Sequence, residues 1–470
     1  MTPRTWTYVV AAVAAFMVNL DNLVVTTALP QIRLHLHASI SGLEWTVNAY
    51  TLTFAVLLLT GAAVGDRFGR RRVFGVGLAI FTVASAAAAL APSPEFLIGA
   101  RALQGLGGAI VLPLSLTLIS AVAPPERRGA VLGMWGAVAG LAVAAGPLIG
   151  GAITEGASWQ WIFWLNVPIG LAVLPLLRRV PESFGAHSPL DVTGVLLGSA
   201  GLFGVVFALI RSNGAGWSSS EVLLPLIAGG AVLGAFVAWE KRTAHPMLPM
   251  RLFRNRTFTA TNIAALLFSF GMFGSIFLLA QFLQTVQHYS PLSAGLRTLP
   301  WTAMPMLVAP IAGPLSDRIG TRPLMAAGLA MQAAGLAWLA SLLSPTVSFV
   351  ALLAPFVLCG VGMSLFFVPV ASAVLGSVAA SEEGVASGTN NAIRELGGVL
   401  GIAVLVAVFS GRGSYATSAS FVAGTRPAIV VGAIVVAIGA IAALATAGRR
   451  RAPSAADRID EGAAVALAKA

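Results

Sequence analysis

Two ionisable side chains stand inside long apolar runs, and they are the residues best placed to do chemistry: Asp21 in the run 7–29 and Arg101 in the run 96–120. A charge in hydrocarbon costs about 2.5 to 3.5 kcal/mol on insertion scales, so each is a functional candidate by default. Asp21 lies about 8 residues before the outer end of its run and Arg101 about 7 after the outer start of its own, so both sit roughly 10 to 12 Å below the outer surface. A contact between them is geometrically open. Burial disfavours a charged carboxylate and a guanidinium favours it, so a motion that separates or wets the pair switches Asp21 between protonated and ionised forms. Coupling to protons requires such a switch. The competing reading is a permanent ion pair pinning two helices, and burying charge is a poor way to gain stability.

Other candidates carry less chemistry and more shape. Polar and aromatic residues in runs expected to face a central cavity are Asn19, Asn48, Tyr50, Gln104, Phe273, Phe277, Gln281, Gln284, Trp301 and Asn391. Apolar walls with sparse polar groups suit hydrophobic or amphipathic small molecules. Each aromatic taken singly is as well explained by core or interface packing, and Trp159, Trp161 and Trp164 read as belt anchors. Arg394, about 6 residues into its run, sits within snorkelling reach of the mouth and reads as a gating or structural residue. Its neighbour Glu395 reads as near a mouth too, which leaves no deep acidic residue in the second half. That favours neutral, zwitterionic or monocationic cargo.

The elements that must hold these residues follow from composition. Of the 470 residues 57% are hydrophobic and only 10% charged, whereas charged residues make up about a quarter of an ordinary soluble domain. The solvent is lipid. Runs of roughly 20 apolar residues separated by Gly, Pro and charges give fourteen spans. They cover 7–29, 43–64, 73–92, 96–120, 130–153, 160–177, 190–210, 222–240, 258–284, 292–315, 323–343, 347–375, 388–410 and 426–448. The run 292–315 is broken by Pro300, Pro305, Pro310 and Pro314, which membranes tolerate when neighbours satisfy the freed carbonyls. The first run is too long for a signal peptide.

With the amino terminus in the cytoplasm, 21 of the 28 basic residues fall in cytoplasmic segments, as the positive-inside rule asks. Outside fall Arg33, Arg211, Arg297, Arg412 and Arg426, while Arg101 and Arg394 stay with their helices. Both termini are expected inside. The net charge of +11 therefore records topology, and no nucleic-acid partner is implied because no polar surface clusters the arginines.

The loop after the second span reads Gly65-Asp66-Arg67-Phe68-Gly69-Arg70-Arg71-Arg72, and the loop after the tenth reads Ser316-Asp317-Arg318-Ile319-Gly320-Thr321-Arg322. Asp, Arg, Gly and Arg align at a constant offset of 251 residues, so the halves are copies related by an axis along the membrane normal. Such a loop suits a latch that breaks and re-forms as the halves rock, with Gly69 and Gly320 taking conformations other residues resist. A merely topogenic loop explains the arginines but not the repeated aspartate and glycine.

These residues carry a resemblance. The chain resembles the major facilitator superfamily over nearly its whole length, and within it the fourteen-helix drug:proton antiporters. Gly65 to Arg71 resembles the superfamily's loop motif, and Arg101-Ala102-Leu103-Gln104-Gly105-Leu106-Gly107-Gly108-Ala109 resembles the fourth-helix motif linked to proton transfer. Gly136 with Gly146-Pro147-Leu148-Ile149-Gly150-Gly151 is similar to the exporters' fifth-helix motif, Ala142 replacing one of its usual glycines. The segment Leu20 to Pro30 resembles the first-helix signature of the fourteen-helix branch. Asn390, Asn391, Arg394 and Glu395 resemble another of its segments.

The resemblance implies an all-α polytopic membrane protein with two pseudo-symmetric six-helix bundles, 1–180 and 257–448, two inserted helices in 181–256, and a cytoplasmic tail at 449–470. It implies alternating access, proton coupling through Asp21 and Arg101, and latch roles for Asp66, Arg67, Gly69, Arg70, Arg71, Asp317, Arg318 and Arg394. The expected function is export of small hydrophobic or amphipathic compounds, drugs or antibiotics, by a monomer in a bacterial plasma membrane. Protons are the coupling ion, and no cofactor is expected. An uptake symporter on the same fold and a non-transporting scaffold or receptor are the alternatives, the scaffold giving no reason for Asp21 and Arg101. An ATP-driven pump lacks its GxxxxGK[ST] loop. No enzyme constellation appears, since His35, His37, His187, His245 and His288 fall in or beside loops and Cys359 stands alone in an apolar run. The abundance of Arg over Lys points to a GC-rich bacterial genome.

Overall fold

The computed structural model describes residues 2–124, 128–185, 190–378 and 382–446, and the expected tail at 449–470 lies outside them. Among the described residues the regular structure is helical. In chain order the helices are α1 (Pro3–Leu36), α2 (Ile40–Phe68), α3 (Arg70–Ala89), α4 (Pro94–Val122), α5 (Arg128–Gly156), α6 (Trp161–Trp164), α7 (Asn166–Leu176), α8 (Val192–Ala215) and α9 (Ser220–Glu240). There follow α10 (Arg256–Thr285), α11 (Pro291–Thr302), α12 (Met304–Ile319), α13 (Thr321–Leu342), α14 (Phe349–Leu375), α15 (Glu383–Ser410) and α16 (Ser418–Leu444).

Twelve described helices are long and apolar enough to cross a membrane, one of them running from Trp161 to Arg179 through α6 and α7. Helix α5 and the broken pair α11 and α12 bring the crossings to fourteen. The break at Ala303 comes where Pro305 opens α12, whose first turn needs no amide donor. Starts follow local capping chemistry: Ser39, Ser93, Ser290, Ser348 and Thr417 each accept an amide hydrogen from the first turn, which removes one of the orphan donors of a helix end.

The last helix starts at Ser418, eight residues before the expected 426, because the Thr417 cap lies there. Arg426 is therefore inside α16, where it donates to the Ser341 carbonyl at 3.0 Å. Arg33 and Arg211, expected in loops, likewise lie within helix ends that outrun their apolar cores.

Helix α1 packs on α4 and α5, α2 and α3 pack on α4, and α3 packs on α7. In the second half α10 packs on α15 and α16, and α13 on α14 and α16. The two sets meet along α2 with α15, α5 with α11 and α1 with α10. The α8–α9 hairpin stands against α2 and α15, where Val206, Leu209 and Ile210 bury beside Leu52, Val56, Val399 and Ala403. Leu224 and Ile227 on α9, Val350 on α14 and Ile441 on α16 remain exposed, which suits contact with acyl chains.

Candidate functional site

Helix α4 can bring Arg101 to α1 because its glycines let it approach its neighbours. A Cβ on Gly105 would lie 2.4 Å from the Tyr50 carbonyl oxygen of α2, and one on Gly107 2.7 Å from the Phe81 nitrogen of α3. Arg101 and Asp21 are thereby fully buried and form a salt bridge through Nη1 and Oδ2. The same Nη1 donates to Gln104 Oε1 at 3.0 Å, and Nε donates to the Thr46 carbonyl at 3.1 Å. The guanidinium lies over the Tyr50 ring, 4.3 Å from its centroid. The other carboxylate oxygen of Asp21 accepts from Asn166 Nδ2 at 2.7 Å and Gln104 Nε2 at 3.1 Å. Both amides also reach Ser85 Oγ, at 3.4 and 2.7 Å.

Five helices thus converge on one carboxylate. Both carboxylate oxygens accept hydrogen bonds, while Arg101 Nη2 is buried without an acceptor, and losing either member of the pair strands a buried charge at a cost of about 3 to 5 kcal/mol. Asn166, Ser85 and Thr46 were not among the sequence candidates; the signal for Asn166 was a lone amide inside an apolar run.

A cavity of about 1020 Å³ opens at the end of the molecule that carries the Asp66 loop. Its walls are α2 at Leu58, Leu59 and Asp66, α4 at Leu112 and Leu116, α15 at Gly384, Gly388 and Asn391, and the segment 241–254. Of the ten expected cavity residues, Asn391 alone lines it. Asn19 donates to the Ala15 carbonyl of its own helix, Tyr50 Oη to the Val18 carbonyl, and Gln104 belongs to the Asp21 network. Phe277 and Trp301 are core side chains, Trp301 beside Phe356, and Phe273 packs against Gly398. Asn48 is buried with neither amide atom hydrogen-bonded.

Gln281 and Gln284 help close the opposite end. Gln284 Nε2 donates to the Thr27 carbonyl at 2.9 Å, and the Tyr415 hydroxyl donates to Gln281 Oε1. Arg33 lies 4.0 Å from the centroid of the Tyr415 ring, and burial pushes the Tyr415 phenol up despite that cation, so it stays a donor. Beside them α5 and α11 touch through their backbones: a Cβ on Gly151 would meet the Pro291 oxygen at 2.4 Å, and one on Gly295 the Pro147 oxygen at 2.2 Å. Glu155 accepts from the Leu292 amide at 3.0 Å. Gly146 and Gly150 face α1 instead, at Leu23 and Thr27. Gly136 lies outside the residues whose side-chain surroundings are described.

The Asp66 loop is tied to the chain that follows α7. Gly69, at φ +103°, lets the backbone turn so that the Arg70 amide donates to the Ser183 carbonyl and the Gly185 amide to the Asp66 carbonyl, at 2.9 and 3.0 Å. Asp66 pairs with Arg70 at 2.7 Å, and Glu182 gathers the Arg71 amide at 2.8 Å with the Arg71 and Arg72 guanidinia at 3.5 and 3.8 Å. Arg67 lies over the Phe68 ring. Glu182, the hub of this knot, was not foreseen. In the second copy Gly320 takes φ +93° at the matching position, after Arg318 in the last turn of α12; the side chain of Asp317 is outside the described set.

One expectation is corrected. Glu395 does not stand at a mouth, because α15 starts at Glu383 rather than at the expected 388 and so carries it near mid-helix, where its Oε2 is out of solvent and Asn22 of α1 lies beside its carboxylate. The second half therefore does bring an acidic group to the centre, and the argument against cargo with two positive charges lapses. Arg394 donates to Asn391 at 3.1 Å and lies over the Phe367 ring at 4.5 Å.

The model of the Major Facilitator Superfamily matches residues 11–402, with a second match over 261–469. The chain is 35% identical over 419 residues to the tetracenomycin C resistance and export protein of Streptomyces glaucescens, covering 87% of this chain and 77% of that one. It is 36% identical to the puromycin resistance protein of Streptomyces alboniger, covering 91% and 86%. To the cephamycin export protein of Amycolatopsis lactamdurans it is 39% identical, covering 86% and 85%. Among solved structures, a peptide transporter of the POT family aligns with a TM-score of 0.68 at 16% identity, over 96% of this chain and 97% of that one.

Proposed function

The chain belongs to the Major Facilitator Superfamily, and from that premise we propose that it exports small hydrophobic or amphipathic compounds, antibiotics among them, in exchange for protons. The observation that carries the reading is the Asp21 carboxylate, buried against Arg101 and fully hydrogen-bonded beyond the inner reaches of a cavity that opens on one side. The relatives, named for antibiotic resistance and export, support the direction and the class of cargo.

In this reading the Asp66 loop faces the cytoplasm of a bacterium, both termini lie inside, and the protein works as a monomer. Residues 1–180 and 257–448 act as halves that rock about the Asp21 level, with 181–256 inserted between them. Cargo enters the open cavity while Asp21 is ionised on Arg101. Opening the outer seam of α5 and α11 exposes the region to external water, Asp21 takes a proton, and Arg101 is released to its remaining partners, Gln104, the Thr46 carbonyl and the Tyr50 ring. Return to the inward form delivers the proton to the cytoplasm.

Inside-out vesicles with an imposed proton gradient test this. An exporter accumulates the antibiotic and discharges the gradient, and Asp21→Asn abolishes both. Accumulation that persists in Asp21→Asn at the wild-type rate refutes the coupling role.

A further inference from the structure

The inserted hairpin holds a second carboxylate site that the Asp21 mechanism does not use. Asp191 caps α8, accepting the Gly194 amide at 2.7 Å and Trp239 Nε1 at 2.8 Å through Oδ1. Its Oδ2 accepts the Met247 amide at 3.4 Å. Glu240, at the end of α9, accepts the Leu248 amide at 2.9 Å through Oε2. The two carboxylates therefore fold the segment 241–249 back on the hairpin. They also face each other, for a Cβ on Gly194 would lie 2.5 Å from Asp191 Oδ2 and 2.6 Å from Glu240 Oε1.

Glu240 is only 2% exposed, and its Oε1 has no hydrogen-bond donor. Asp191 is only half-buried beside the cavity while Glu240 is buried, so like charge and burial together disfavour an ionised Glu240 facing Asp191, and the group that satisfies the pair is one proton. No set of three His, Cys, Asp or Glu among the described residues suits a metal ion there. The segment held down in this way is also a wall of the 1020 Å³ cavity, with Met247, Pro249, Arg251 and Arg254 lining it, and Thr60 of α2 donating to Met247 Sδ at 3.7 Å.

We propose that Asp191 and Glu240 form a proton-binding clasp: one proton between the carboxyl groups keeps 241–249 against α2, and its loss at higher pH releases the segment and widens the mouth of the cavity. The sign follows from the site. The protonated pair attracts and the doubly ionised pair repels; each amide alone would hold an ionised carboxylate, but the consecutive Met247 and Leu248 amides bridge the two and cannot follow both as they part, so the clasp is closed at low pH and opens as pH rises. The other charged groups around it are Lys241, Arg242 and His245 on the segment itself, Arg251 and Arg254 just beyond it, and Asp66 on α2; among the described residues α15 contributes only the uncharged Gly384, Val385, Ser387, Gly388 and Asn391 to this cavity. Histidine is the side chain that ordinarily changes charge near neutral pH, so His245 needs its own control.

The native Cys359 is buried and leaves a clean background for thiol labelling. In the purified full-length protein, the rate at which a polar maleimide labels Met247→Cys is divided by the rate for Ser218→Cys, an exposed site far along the hairpin, which cancels ionisation of the thiol. The ratio is expected to rise about threefold or more between about pH 6 and about pH 8, with a limiting slope of about tenfold per unit for one proton. Glu240→Gln and Asp191→Asn should each flatten it, while His245→Asn should leave it rising. A flat ratio in the otherwise native chain overturns the proposal. So does a slope that survives both carboxamide variants, one that vanishes in His245→Asn, or a ratio that follows sodium concentration at fixed pH.

Discussion

Asn166 donates to Asp21 at 2.7 Å from 145 residues further along the chain. It binds the carboxylate oxygen that Arg101 leaves free, so the charge of Asp21 is divided between a guanidinium on α4 and an amide on α7. The network spans the whole first half and is set by how α1, α3, α4 and α7 pack.

Replacing Asp21 by Asn keeps an acceptor for Asn166 but leaves Arg101 as an uncompensated buried cation, at a cost of about 3 to 5 kcal/mol. Transport driven by a proton gradient is expected to vanish and the melting temperature to drop. A double variant that also replaces Arg101 by Met should recover much of the stability without recovering transport. Restored stability with restored coupling would show that the pair only pins the helices.

Asn166→Leu removes one hydrogen bond to the ionised carboxylate, an interaction worth about 1.5 to 3 kcal/mol when charged. The buried carboxylate is then short of a donor, and proton-driven antibiotic transport in vesicles should fall by about tenfold. Unchanged transport would mean that Asn166 merely packs.

Gly295→Ala places a methyl group where the Pro147 oxygen already lies 2.2 Å away, and backbone cannot step aside as a side chain does. Overpacking of this kind costs about 1 to 3 kcal/mol, and here it falls on the form closed at the outer end. Labelling of Gln284→Cys from the outer face should speed up and transport should fall. Gly99→Ala, where nothing lies within 4 Å, is the matched control and should change neither.

Gly69→Ala forces a side chain into φ +103° and toward the Glu182 carboxylate at 3.0 Å. A left-handed conformation costs roughly 1 to 2 kcal/mol for a residue with a Cβ, and the knot with Glu182 is disturbed as well. Thermal melting should fall by more than for Gly320→Ala, which meets the same backbone strain at φ +93°. Equal losses would show that Glu182 adds nothing.

The spans were legible because lipid allows few solutions: a crossing must be long, apolar and internally hydrogen-bonded, and the hydropathy of the chain says where. The repeated loops were legible for a similar reason, since Gly69 and Gly320 serve a local turn whose conformation depends on its own residue. Asp21 and Arg101 stood out because a rare charge in hydrocarbon has few explanations, and equal depth made their contact testable.

Depth along one axis does not say which way a helix faces. Gln281 and Gln284 lie at the closed end, Tyr50 and Gln104 turn to Arg101, and Glu395 reaches Asn22, none of which the spacing of apolar residues decides. Glu182 lies between spans and Asp191 and Glu240 lie at the very ends of two of them, where hydropathy carries little information, and their partners come from α3, α8 and α9. The amino-acid sequence by itself determined the membrane, the number of crossings, the repeat and the two charges at matching depth. The tertiary structure alone decided their hydrogen-bond partners, the open end and the wall of the cavity, because those depend on helix rotation and close glycine contacts between segments far apart in the chain.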